Sequence, residues 1–446
     1  MLSQLWAMGQ LAVGAILIAA LSVELARRPI VIAYGLLGLY AWSLVYTGEL
    51  MATRIAGLHV DVIDVVNIIA FGATLIRMRR GPRRWQWALL GAVVLTVYAA
   101  LRGAIDLGGT ALLGFRAELY FVVPALFVAT LSRSMISRVV RAIVVLGVVL
   151  AVIAVGRWIA LATGLAPLAS SGAYAIERVI NSTSALWVSF ASIAGLMALL
   201  KKCYGVRRWV SSVVTGPTLL VVLFSQHRSV WVAAVTMLAV ALIGTRQRWY
   251  MKAAMIIAAS VGVLGIASLG PDDVGVVGES LAVAASNVGT WEWRLQRWED
   301  VWTAHAARGV PAIIFGTGYG YAWVSGAVGV WEVSPHNGYL QIAVRLGLLG
   351  AILVFWPHLA VLLKLWSATD AVSRVLWLWI IGSLVYYVPY SANPLTGVVL
   401  GASVVLLLVD RESAVAAAWE SRVVSPIPIE HDISGGQRAA AHQRDL

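Results

Sequence analysis

Apolar segments of membrane-spanning length alternate with short polar connections along most of the chain. A helix needs roughly 20 apolar residues to cross the hydrocarbon core of a bilayer. The pattern therefore predicts an all-α integral membrane protein with about 12–13 transmembrane helices, the last two short enough to form a hairpin. The predicted segments cover residues 5–25, 30–47, 60–77, 85–102, 113–131, 139–162, 183–200, 208–224, 229–244, 252–269, 337–364, 374–390 and 394–410.

Positive charge is concentrated in every second connection, which the positive-inside rule places in the cytoplasm. The intervening connections are poor in Lys and Arg, so we expect them outside, including one long loop at 270–336. Residues 1–410 then form one polytopic domain with its N-terminus outside, and 411–446 form a disordered cytoplasmic tail. A first helix that did not span would move only the N-terminus. The basic connections contain Arg27 and Arg28, Arg77 to Arg84, Arg133 to Arg141, Lys201 to Arg208, Arg246 to Lys252, and Lys364 with Arg374.

Composition agrees with the membrane class and excludes other classes. The chain is 60% hydrophobic and only 12% charged, and its mean hydropathy is +0.85. The net charge of +12 comes from the short basic connections, so it predicts membrane orientation rather than nucleic-acid binding. The single Cys203 excludes an internal disulfide framework and most cysteine metal sites. The sequence contains no credible metal-ligand cluster, and we expect no cofactor.

The long loop and the segment after it hold most of the polar chemistry. Residues 290–307 can form a helix on which Trp291, Arg294, Trp298 and Trp302 share one face. A glycine-rich stretch at 316–320 follows no predicted strand, so it predicts a turn rather than a nucleotide-binding loop. Ser334-Pro335-His336-Asn337 then opens an apolar helix, where Asn337 can accept from free backbone donors.

This arrangement resembles the segment shared by the O-antigen ligase and polymerase family of membrane glycosyltransferases. The resemblance covers about 60 residues and implies a C-type glycosyltransferase-like fold with its active site on the external face. The family often has an acidic residue where Arg345 stands, which leaves His336 without an expected carboxylate partner on that helix. The matching residues are Arg294, Trp298, Gly316, Gly318, His336, Asn337, Leu340, Gly347 and Gly350.

His336 is the leading candidate for catalysis. An unperturbed histidine titrates near about 6.5, so a neutral imidazole could accept a proton as a general base. From the residues alone, a polar side chain at a helix start is an equally simple interpretation. The resemblance implies that this histidine deprotonates the acceptor hydroxyl.

Three arginines are candidates for binding a phosphate. Arg228 interrupts two apolar segments with almost no loop, and a charge at that depth is costly unless it is paired. Its guanidinium suits a phosphate, although contact with lipid headgroups stays open. The resemblance implies that Arg228 and Arg294 bind the donor pyrophosphate. Arg297, one turn away, could replace Arg294, and His227 is either a second base or a bystander.

Weaker candidates lie at other helix ends predicted to be external. Arg116 and Glu118 could pair with each other or line the site. Arg178 and Asn181 resemble a short family element that carries an asparagine. The helix dipole explains the carboxylates of Asp61 and Asp64 at a helix start. We expect these two acids to be structural, although many membrane glycosyltransferases keep a carboxylate at such a helix end.

The resemblance implies transfer of a glycan from an undecaprenyl-pyrophosphate donor to an acceptor hydroxyl, with no metal. A ligase would use lipid A-core as acceptor and a polymerase a second glycan chain, and the sequence slightly favours the ligase. A lipid-linked oligosaccharide transporter is the alternative from another class, but it should carry polar residues through the bilayer midplane. The expected partners are the lipid-linked glycan, the acceptor and membrane lipids, with no nucleic acid. The expected location is the bacterial inner (cytoplasmic) membrane, with the active site on the periplasmic face.

Overall fold

The fold is known from a computed structural model. It describes residues 2–45, 53–55, 58–79, 84–108, 114–163, 179–201, 208–225, 227–243, 289–321, 323–325, 329–331 and 335–407. The predicted segment at 252–269, the predicted tail, Cys203 and Arg178 lie outside the described residues.

Helices dominate the described residues, and every predicted apolar segment that falls among them coincides with a helix. The all-α membrane fold is thereby confirmed. Two short antiparallel hairpins, which were not predicted, lie in connections: β1 (Thr53–Ile55) with β2 (Leu58–Val60), and β3 (Trp323–Ser325) with β4 (Gly329–Trp331). The helices are α1 (Leu2–Arg27), α2 (Pro29–Val45), α3 (Val62–Met78), α4 (Arg84–Leu107), α5 (Arg116–Val128), α6 (Arg133–Ala162), α7 (Ser182–Lys201), α8 (Arg208–Phe224), α9 (Arg228–Ile243), α10 (Gly289–Ala306), α11 (Val310–Phe315), α12 (Gly338–Leu365), α13 (Ala371–Tyr387) and α14 (Pro394–Leu407).

Several of these helices have the length and composition of membrane spans. By length and composition alone, four helices of the described residues could cross a bilayer: Arg84–Leu107, Arg133–Ala160, Ser182–Leu199 and Gly338–Leu365, the last of which is bent at Gly347. Large apolar side chains such as Val152 and Leu363 are exposed on their outer faces, as expected for helices that contact lipid. With the shorter apolar helices beside them, they make a multi-pass membrane protein.

Helix α7 is the centre of the bundle. Its residues 184–198 are all buried, and it packs against α6, α8, α9 and α13. Its buried Ser189 and Ser192 donate to carbonyls of the same helix, so their hydroxyls cost little in an apolar core. The ring of Phe190 stacks on Trp379 of α13 at 5.2 Å, while Trp187 donates to the carbonyl of Ile143 on α6. These contacts fix α13, which approaches the candidate site.

Helix α12 is sharply bent at Gly347, whereas the sequence predicted one continuous apolar helix. Gly347 has φ 70° and ψ −175°, which separates a segment at 338–346 from one at 348–365. The rings of Tyr339 and Phe355 lie 4.8 Å apart. In a straight helix this 16-residue separation would span about 24 Å, so the first segment folds back along the second. The prediction of one continuous helix over 337–364 is therefore wrong, because the contacts of Gly347 decide its backbone conformation.

The glycine-rich turn lies between α4 and the bend. Gly316, Gly318 and Gly320 all have positive φ, and the amide of Thr317 donates to the carbonyl of Val344 at 2.9 Å. Tyr319 donates its amide to the carbonyl of Ala99 on α4 at 3.2 Å. The turn thus joins the loop region to two helices.

Candidate active site

The site is built around the loop that opens α12. Asn337 caps this helix as predicted, because its side chain accepts from the amide of Leu340 at 2.9 Å. The carbonyl of Pro335 accepts from the indole of Trp298 at 2.8 Å, and the amide of Gly338 donates to the carbonyl of Tyr390 at 2.9 Å. Between them, His336 has φ 51°, the left-handed conformation that few residues other than glycine adopt. The surrounding contacts hold this conformation.

Helix α10 presents its arginines to the loop. Arg297 is buried, and its guanidinium lies 5.1 Å from the ring centre of Trp293. Arg294 is half-buried, with its guanidinium 6.0 Å from the ring centre of Tyr390. The predicted tryptophan face is partly present, because the rings of Trp291 and Trp298 meet at 5.5 Å. This tryptophan face therefore makes contacts within the protein as well as facing its surface.

The electrostatic environment of His336 keeps its imidazole neutral. Burial lowers the pKa of His336 below its ordinary value, and the positive charges of Arg294 and Arg297 lower this pKa further. At neutral pH the ring is therefore unprotonated, with a nitrogen lone pair that can accept a proton. The structure brings together three of the residues predicted from the sequence, because both arginines act on His336.

A chain of contacts leads from this group to the start of α9. Tyr390 stacks on Tyr386 at 4.8 Å, and the hydroxyl of Tyr386 lies 3.0 Å from that of Ser182. Two residues earlier, the carbonyl of Ile180 contacts Nε2 of His227 at 2.9 Å. His227 is buried, and Arg228 follows as the half-buried first residue of α9. The candidates from the two regions are therefore linked through the end of α13 and the start of α7.

Two other predicted residues have structural contacts. Asn181 accepts from the amide of Ser184 at 2.8 Å and so caps α7.

Arg116 forms ion pairs with Asp61 at 3.1 Å and with Asp64 at 3.0 Å. The alternative in which Arg116 pairs with Glu118 is wrong, because these two acids at the start of α3 provide the partners. The predicted helix start is present there, since Asp64 accepts from the amide of Asp61 in a capping box.

Arg345 has a structural role that the sequence did not indicate. Its guanidinium donates to the carbonyl of Gly318 at 2.8 Å and to that of Tyr321 at 2.9 Å. Arg102 on α4 donates to the carbonyl of Gly316 at 3.1 Å. The carbonyls of the turn are thus bound by protein cations. This arrangement agrees with the prediction of a structural turn.

A buried polar network next to the loop was missed. Gln341 donates through Nε2 to Glu118 on α5 and accepts through Oε1 from Ser391 at 2.5 Å. A single signal could have identified it, because Gln341 is a polar residue one turn after Asn337 in a largely apolar segment. Its partners lie 223 and 50 residues away in sequence, beyond the reach of any local pattern.

Residues 213–355 match the family model of the O-antigen ligases. The match covers about a third of the chain and includes Arg228, Arg294 and His336. It confirms the resemblance to the O-antigen ligase and polymerase family over this segment. No curated protein matches the chain.

The matched segment thus runs from α8 into the second part of α12 and contains α10 with its two arginines, the glycine-rich turn and the His336 loop. The match supports a function of the ligase or polymerase type, and a glycosyltransferase-like enzyme. Among the described residues, no group of three or more His, Cys, Asp or Glu could hold a metal ion. A neutral imidazole beside two guanidinium groups is suited to proton transfer next to an anionic leaving group.

Proposed function

We propose that the protein transfers a glycan from an undecaprenyl-pyrophosphate donor to an acceptor hydroxyl, acting as an O-antigen ligase on lipid A-core. The observation that carries the proposal is the neutral imidazole of His336 beside Arg294 and Arg297, inside the segment that matches the ligase family. A base must be unprotonated to accept a proton, and the lowered pKa of His336 meets this requirement at neutral pH.

The proposed reaction is a single displacement. The acceptor hydroxyl gives its proton to His336, and its oxygen forms a bond to the anomeric carbon of the donor sugar. The bond from this carbon to the phosphate oxygen breaks, and the lipid pyrophosphate leaves with the electron pair. Arg228 and Arg294 stabilise the negative charge that develops on the leaving group. Arg297 and Asn337 line the same place, and His227 lies beside Arg228.

The proposed location is the periplasmic face of the bacterial inner membrane. Two features support it, namely the charge alternation of the connections and the chemistry of the donor. Nucleotide sugars are confined to the cytoplasm, so an activated sugar outside must arrive on a lipid. A lipid-linked donor therefore suits a multi-pass protein whose arginines lie beside its helix ends.

The test uses purified protein in lipid nanodiscs with a lipid-pyrophosphate-linked oligosaccharide and lipid A-core as acceptor, in the presence of EDTA. We expect transfer by the wild type, and a loss of about 10²–10⁴-fold in His336→Ala, the usual contribution of a general base. His305→Asn is the matched control, because His305 is another buried imidazole of the same region and lies on the far part of α10. Its transfer rate per folded molecule should match the wild type.

Three outcomes would contradict parts of the proposal. Loss of transfer in EDTA that is restored by a divalent cation would overturn the metal-independent mechanism. Transfer to a second glycan chain but not to lipid A-core would make the protein a polymerase. Binding of the donor without consumption, for every acceptor offered, would favour the transporter.

A further inference from the structure

Glu118 lies where the two main parts of the candidate site meet. It is 4% exposed, near the start of α5. Its Oε1 accepts from Nε2 of Gln341, which is on the first turn of α12. Its carboxyl group also interacts electrostatically with Tyr319 in the glycine-rich turn and with Arg345. One side chain therefore connects the helix that follows His336 with the turn.

This connection bears on the backbone conformation of His336. Its left-handed backbone is a strained conformation for a residue with a side chain, and such conformations persist only where the surroundings fix them. The loop is held on one side by Trp298, which donates to Pro335. On the other side it is held by the start of α12, where the amide of Gln341 donates to the carbonyl of Asn337 at 2.9 Å.

Glu118 fixes the start of α12, which holds the second side of the His336 loop. The side-chain amide of Gln341 makes two hydrogen bonds, since Nε2 donates to Glu118 while Oε1 accepts from Ser391. This arrangement sets the orientation of the amide group and locks the first turn of α12 between α5 and the loop at 390–393. Without the carboxyl group, Nε2 of Gln341 would lose this buried acceptor, and the turn would shift to compensate.

We infer that Glu118 is a positioning residue for the proposed reaction, acting through Gln341 to hold His336 in the geometry that accepts the proton. The inference rests on the proposed function, in which His336 is the base. Glu118 does not touch the reacting atoms in this scheme. Its effect comes from geometry, because displacement of a catalytic group by about 1 Å can cost about 100-fold in rate.

Two substitutions at Glu118 separate position from charge. Glu118→Gln keeps a carbonyl oxygen that can accept from Gln341, so we expect kcat within about threefold of the wild type. Glu118→Ala removes the acceptor, so we expect kcat to fall about 10–100-fold while donor affinity stays unchanged. Gln341→Ala should resemble Glu118→Ala, and the double variant should be no worse than either single variant because the two residues act as one unit.

A second readout does not depend on glycan transfer. Acylation of His336 by diethyl pyrocarbonate, followed by peptide mass spectrometry, measures how well the loop holds this half-buried ring. The acylation rate should rise severalfold in Glu118→Ala and stay at the wild-type value in Glu118→Gln. If the wild type transfers no glycan but the acylation pattern is as expected, the proposed function fails and the positioning role stands.

The matched control is Gln86→Leu. Gln86 is also buried, and it donates to the carbonyl of Ala129 at 2.9 Å, just beyond the opposite end of α5. Its loss should lower thermal stability without changing kcat or the acylation of His336.

Two results would overturn the inference. If Glu118→Gln loses as much kcat as Glu118→Ala, the carboxylate acts through its charge or proton and is not a positioning residue. If Glu118→Ala loses stability but keeps kcat and the wild-type acylation rate per folded molecule, its role is purely structural.

Discussion

Replacement of Gly347 by alanine should disrupt the fold-back of α12. A residue with a side chain in this backbone region costs about 1–3 kcal/mol, because the region is occupied almost only by glycine. The added Cβ would also lie 2.2 Å from the carbonyl oxygen of Ile314 and 2.5 Å from the amide nitrogen of Gly316. Both are backbone atoms that cannot move independently, and overpacking of this kind costs about 1–3 kcal/mol more.

The two contributions give a destabilisation of about 2–6 kcal/mol for Gly347→Ala, a large share of the roughly 5–15 kcal/mol that stabilises a typical folded protein. The assay is the thermal unfolding midpoint in detergent, with the folded fraction measured by size exclusion. Gly35→Ala is the control, because Gly35 lies inside α2 and a Cβ there meets no atom within 4 Å. This control should be neutral, or stabilising by up to about 1 kcal/mol.

The fold-back can also be measured directly in a Cys203→Ser background. A short bifunctional thiol cross-linker should join cysteines that replace Tyr339 and Phe355, because the native side chains meet, with their rings 4.8 Å apart. In a straight helix these positions would lie about 24 Å apart, beyond the span of such a reagent. Absence of the cross-link, together with an unchanged midpoint for Gly347→Ala, would refute the bend.

Three further predictions concern the site. The kcat/KM for transfer should stay constant near neutral pH and fall only as the pH drops through the lowered pKa of His336. Arg297→Gln should move this acidic limb of the profile to higher pH, because it removes one of the charges that lower the pKa of His336. A limb that stays in place would exclude Arg297 as a cause of the lowered pKa. Arg345→Lys should destabilise the protein by about 2–4 kcal/mol, because lysine cannot donate to both turn carbonyls as the guanidinium does, and an unchanged unfolding midpoint would contradict this. Trp298→Phe removes the donor to Pro335, so it should cost about 1 kcal/mol and a few-fold in kcat, as measured by unfolding and transfer assays; equal losses in Trp291→Phe would show that the hydrogen bond is not the cause.

The sequence predicts the helices well because the bilayer imposes a simple rule. A chain inside lipid must satisfy its backbone groups within each segment, so apolar length alone identifies a helix. The cap at Asn337 was also predictable, because it depends on residues only three apart. Local chemistry and local structure agree at this position.

The bend at Gly347 could not be predicted in this way. Glycine within an apolar helix is compatible with a straight helix, and the choice is made by contact with Ile314 and Gly316 more than 30 residues earlier. The partners of Arg116 and Glu118 were missed for the same reason. Asp61 lies 55 residues from Arg116, and Gln341 lies 223 residues from Glu118.

Binding of the donor should offset the effect of the neighbouring arginines on the pKa of His336. In the free protein, their charges lower the pKa of His336 and keep it neutral, but a base with a low pKa is also a weak acceptor of protons. A pyrophosphate bound to Arg294 would offset this positive charge and place negative charge near the ring, which raises the pKa of His336. The base would then become stronger only when the donor is present. Under the proposed function, the pKa that governs kcat should therefore lie above the pKa that governs kcat/KM, and equal values would show that the donor charge does not reach His336.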